Sequence, residues 1–78
     1  MVVMIEHMEE QKVFGASVKA RRILVGISQE ELAWRAELHR TYVCDVERGA
    51  RNVSLQSIYK LARALEISAS AFFSESDS

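Results

Sequence analysis

The chain has no proline, only three glycines and a single cysteine in 78 residues. Turns are therefore scarce, which excludes a many-turned β fold and favours helices. One cysteine excludes an internal disulfide framework and a cysteine-based zinc site. No run approaches the roughly 18 apolar residues of a membrane span. The N-terminus, MVVMIEHMEEQK, carries acids where a secretory signal would carry bases, and it lacks a long apolar core. The expectation is a soluble cytoplasmic protein with no membrane partner. There is no glycine-rich phosphate loop, no nucleophile–base pair at recognisable spacing and no metal cluster. The chain is therefore expected to be no enzyme and to need no cofactor.

What is present is apolar surface and unevenly placed charge. The hydrophobic fraction of 49% suffices for one small core. A domain this small buries only about 60% of its unfolded surface, so a subunit interface would add stability. The formal net charge is −1. All ten lysines and arginines nevertheless lie between Lys12 and Arg63, together with only five acids. A basic body flanked by acids is compatible with a phosphate-binding face, and equally with an ordinary mixed surface.

Period and punctuation divide the chain into five helices and no sheet. Residues 1–11 show no clear period and are expected to form a flexible tail, 12–74 the folded domain, and 75–78 a disordered end. Phe14, Val18, Arg22 and Val25 recur at steps of four and three, which predicts a helix over about 12–25 that Gly26 ends. Ser28-Gln29-Glu30-Glu31 is a capping box that opens a second helix, with Leu32, Ala33 and Ala36 inward. Glu37-Leu38-His39 is a tight turn. A third helix covers about Arg40 to Arg48, with Val43 and Val46 inward, and Gly49 ends it. Ser54 caps a fourth helix, whose inner face is expected to be Leu55, Ile58, Tyr59, Ala62 and Leu65. A short fifth helix, about Ala69 to Ser74, carries Phe72 and Phe73. Two adjacent aromatics cannot both point inward, so Ile67, Phe72 and Phe73 are read as a dimer interface.

Two short helices joined by a tight turn suggest a helix-turn-helix, whose second helix reads the major groove with its N-terminal residues. Here those are Arg40, Thr41 and Tyr42. Arginine can bind guanine O6 and N7 bidentately, and a threonine methyl can touch thymine. Tyr42 can instead pack on the core. Gln29 stands where a helix N-terminus favours phosphate, and Arg48, Arg51 and Asn52 could grip the backbone beyond. Trp34 is read as covering the end of the first helix or touching sugar, Cys44 as a small inert contact, and His39 as a cap or phosphate contact.

The stretches GISQEELA, LHRTYV and VERGARN, followed by L-x-x-I-x-x-L-A-x-A-L, resemble the Cro/cI-type (XRE) helix-turn-helix family from about Phe14 to Phe73. Within it, H-R-T-Y followed by E-R-G-x-R-N is most similar to the controller proteins of bacterial restriction-modification systems. The resemblance implies an all-α, five-helix Cro/cI repressor-like domain. It implies a homodimer formed through the C-terminal helices, a pseudo-palindromic double-stranded DNA operator and control of the restriction and modification genes. RNA polymerase is a further expected partner. Arg40, Thr41 and Tyr42 would face DNA, with Gln29, Arg51, Asn52 and Ser57 in support. Arg22 and Glu47 would form a structural ion pair. The family often has glycine where this chain has Glu37 and Glu66; either the turns are built differently or strain is tolerated there. A phage-type repressor, an antitoxin and a protein-binding helix-turn-helix module are the alternatives.

Overall fold

The computed structural model describes the backbone of residues 3–74 and the side chains of residues 9–73. The expected disordered end, 75–78, lies outside them, as do the first two residues of the expected tail. Five helices follow in order: α1 (Val3–Val25), α2 (Gln29–Ala36), α3 (Arg40–Arg48), α4 (Leu55–Ala64) and α5 (Ala71–Ser74). Among the described residues there is no strand.

Helix α1 starts at Val3, well before the expected Lys12. The extra turns come from a stretch rich in Met, Glu and Gln, all good helix formers. Without an amphipathic period they gave no pattern to read. Gly26 (φ 85°) ends the helix as expected, and the Ile27 N–H donates to the Arg22 carbonyl at 3.3 Å. Ser28 caps α2 by accepting the Glu31 N–H at 3.0 Å. The return half of the expected box is replaced: the Glu31 carboxylate accepts from Arg35 at 3.0 Å, one turn along. Ser54 caps α4 by accepting the Ser57 N–H at 3.1 Å.

The turn between α2 and α3 settles the question about Glu37. It is left-handed (φ 59°, ψ 43°), and the Leu38 N–H closes onto the Ala33 carbonyl at 2.9 Å. Glu66, at φ 60°, repeats the device after α4. Both turns keep glycine's conformation with a residue that a Cβ clash disfavours by about 1 kcal/mol.

The core is built from Phe14, Val18, Leu32, Val43, Val46, Leu61, Leu65 and Phe72. Helix α1 lies against α3 at Gly15, where a Cβ would fall 2.1 Å from the Val46 carbonyl oxygen. Only a residue without a side chain allows that approach. The inner face of α4 is corrected by the structure. Ile58, Ala62 and Leu65 pack inward with Leu61, whereas Leu55 and Tyr59 are 68% and 49% exposed. Two apolar stripes overlap on this helix, and the one centred on Leu61 meets the core.

Phe72 is corrected too. It is 1% exposed and meets Phe14 edge to face at 5.1 Å, so it closes the monomer core and offers no surface to a partner. Burying such a ring contributes about 1.5–3 kcal/mol. Phe73 stacks on Phe14 at 5.7 Å and remains half exposed, while Ile67 is half-buried against the core.

Candidate nucleic-acid interface

Helix α3 presents its first turn to solvent because its buried side is fixed from behind. Val43 and Val46 anchor it in the core. Beside them Glu47 is locked to α1. The Arg22 Nε–H donates to one Glu47 carboxylate oxygen at 2.7 Å, and Nη2–H donates to the other at 3.0 Å. A third arginine donor reaches the Ile27 carbonyl at 3.0 Å. The side chains are only 13% and 2% exposed. The hydrogen bond to Glu47 raises the Arg22 pKa above its already high ordinary value, outweighing its burial. A planar, bidentate pair of this kind fixes direction as well as distance.

Gln29 joins this clamp, its Nε2–H donating to Glu47 at 2.9 Å. This structural bond spans 18 residues of chain and leaves the amide a second N–H and its oxygen. Ser57 is 9% exposed, and its hydroxyl accepts from Ser54 inside the α4 cap at 3.1 Å. Neither position carried a local signal for these partners.

On the outer side, Arg40 and Thr41 are exposed at the start of α3. Arg40 has no hydrogen-bond or ion-pair partner among the described residues, so its donors face water. Tyr42 is half-buried against the core and carries the Arg51 guanidinium 4.8 Å from its ring centre. Of the two sequence readings of Tyr42, packing on the core is the one seen in the structure. Arg48 and Arg51 converge on Asp45, at 2.7 Å and 3.6 Å from its two oxygens. The Arg48 hydrogen bond, with the charges of Arg48 and Arg51 behind it, outweighs desolvation and holds the Asp45 carboxyl below the usual range. Asn52 is exposed beside Arg51. The arrangement is a cluster of guanidinium groups around one end of an exposed helix, suited to phosphate and base edges.

Asp45 is the residue that sequence reasoning left without a role. Its signal was an acid three residues before one arginine and six before another. His39 precedes α3 without a side-chain cap bond, and Cys44 is half-buried. Trp34 is 77% exposed on the outer side of α2 and does not serve as a cover for α1. Among the described residues, no group of His, Cys, Asp and Glu is placed to hold a metal ion.

Helices α2 and α3, their left-handed turn and the clamp behind them define a helix-turn-helix module. The family model described as helix-turn-helix matches residues 18–72. Control protein C.BamHI of Bacillus amyloliquefaciens is 49% identical over 55 residues, covering 69% of this chain and 68% of the relative. The crystal structure of the restriction-modification controller protein C.AhdI from Aeromonas hydrophila superposes with a TM-score of 0.82 at 46% identity. It covers 83% of this chain and 98% of that one. The controller protein C.Esp1396I, solved as a tetramer in complex with its natural 35 base-pair operator, matches with a TM-score of 0.77 at 32% identity. There the match covers 83% of this chain and 86% of that one. The chain belongs to the helix-turn-helix family and, within it, to the restriction-modification controller proteins. These are DNA-binding regulators of transcription, not enzymes.

Proposed function

We propose that this chain binds a pseudo-palindromic DNA operator as a homodimer and thereby controls transcription of restriction and modification genes. The observation that carries this reading is the pairing of a clamped α3 with an unengaged Arg40 and Thr41 at its exposed start. In a helix-turn-helix these positions meet base edges, while surrounding cations meet phosphate. The operator-bound tetramer of C.Esp1396I supports operator binding here. Arg48, Arg51 and Asn52 would contact the backbone, and Tyr42 would brace Arg51.

The dimer would use the half-exposed Phe73 and the partly buried Ile67, with Phe72 supporting Phe73 from the core. Leu55 and Tyr59 extend the apolar surface on α4. RNA polymerase would meet the outer face of α2, where Trp34 stands beside Glu30 and Glu31. Such work belongs with the DNA, in the cytoplasm. No helix among the described residues is long and apolar enough to cross a membrane.

Selection of bound sites from random duplexes at fixed salt tests the reading. The expected product is a near-palindrome with half-sites about 10 bp apart, one helical turn. Against it, Arg40→Ala should cost about 1–3 kcal/mol of operator binding and relax preference at one position of each half-site. Equal affinity for selected and random duplexes would overturn the proposal.

A further inference from the structure

Helix α3 contains two acids. Glu47 is buried and held by Arg22, so its charge is compensated from behind. Asp45 faces the other way and stands among the cations proposed to meet DNA. A carboxylate there repels every phosphate that approaches, and a backbone grip alone does not need it. Its geometry shows what it does instead. One oxygen takes a single N–H of Arg48 at 2.7 Å, and the other faces Arg51 at 3.6 Å. The Arg51 plane is then kept at the Tyr42 ring. One carboxylate thus links two side chains proposed to contact DNA, one of which rests on Tyr42.

We infer that Asp45 is a positioning residue for sequence discrimination: it fixes Arg48 and Arg51 in one arrangement and weakens binding to DNA that does not match it. Each guanidinium has five N–H donors, so bonds to Asp45 leave several for phosphate. Fixed side chains lose less freedom on meeting a backbone in the right register. Random DNA lacks the base contacts that set this register, and its binding rests almost wholly on charge. The repulsion from Asp45 therefore falls mainly on the non-specific complex.

The inference rests on the DNA-binding reading, and one titration separates the two. Wild type, Asp45→Asn and Asp45→Glu are measured against the selected duplex and a random duplex of equal length over a salt series. Asp45→Asn is expected to tighten random DNA roughly three- to fivefold with little gain on the selected site, so that their ratio falls by that factor. Its salt slope on random DNA should steepen by about one unit. Asp45→Glu should restore most of the ratio. With Arg48 and Arg51 both replaced by Ala, Asp45→Asn should no longer change it. An equal shift for both duplexes, or weakening of both with a lowered melting temperature, overturns the inference. A wild-type protein that fails to discriminate overturns the DNA-binding reading itself.

Discussion

Helix α3 carries one arginine–carboxylate cluster on each side. Behind it, Glu47 takes two donors from Arg22 and one from Gln29, and the pair is almost sealed from water. In front, Asp45 holds Arg48 at a similar distance, but the Arg48 side chain is 64% exposed. The chemistry is the same; the solvent is not. A desolvated, fully bonded pair becomes part of the framework, because losing either partner strands a buried charge. An exposed pair adds little to stability, but it can orient guanidinium groups whose remaining N–H donors stay open to a phosphate. The helix therefore has a back that holds the fold and a front that orients cations at the surface.

The largest effect should come from breaking the back. Glu47→Ala leaves Arg22 and Gln29 without their acceptor and should cost about 3–5 kcal/mol of folding stability. Urea unfolding measures it directly. A loss of less than about 1 kcal/mol would mean that the sealed pair behaves like a surface pair and that the contrast between the two sides is false.

The turn before α3 offers a sharper, smaller test. Glu37 holds a left-handed conformation that glycine adopts without strain. Glu37→Gly should stabilise the fold by about 0.5–1 kcal/mol, the relieved strain exceeding the extra freedom of the unfolded chain. If the clamp rather than the turn sets the tilt of α3, operator affinity should stay unchanged. A tenfold loss of affinity in a more stable variant would assign the tilt to the turn.

Much of this architecture was legible in the chain. Gly26, Gly49, Ser28 and Ser54 mark helix ends through local chemistry, and local chemistry is what a sequence displays. Arg22 was conspicuous because it interrupts an apolar stripe, which a surface arginine has no reason to do. The choice between Phe72 and Phe73 was not legible, because it depends on where Phe14 arrives from α1. The same holds for the partners that Gln29 and Ser57 find inside the fold. On α4, two stripes satisfy the same helical period, and only tertiary contact with the core chooses between them. The N-terminal turns of α1 escaped notice because they are helical without being amphipathic.

The front cluster should yield the smallest effect on stability, and acid is the way to see it. Its neighbouring arginines depress the Asp45 pKa in the folded state. A depressed carboxylate pKa contributes stability that is fully present above the unfolded value, about 3.9, and is lost as the pH falls through the lower folded value. Near neutrality, wild type should therefore melt slightly above Asp45→Asn. As the pH drops below about 4, the Asp45 contribution to that difference should vanish. Melting curves recorded for both proteins from pH 7 to pH 2.5 provide the check. A large gap at neutral pH would place Asp45 with the framework and give α3 two fixed sides. A small gap that closes in acid, beside a large loss from Glu47→Ala, leaves it one side that holds the fold and one that serves to orient cations for DNA.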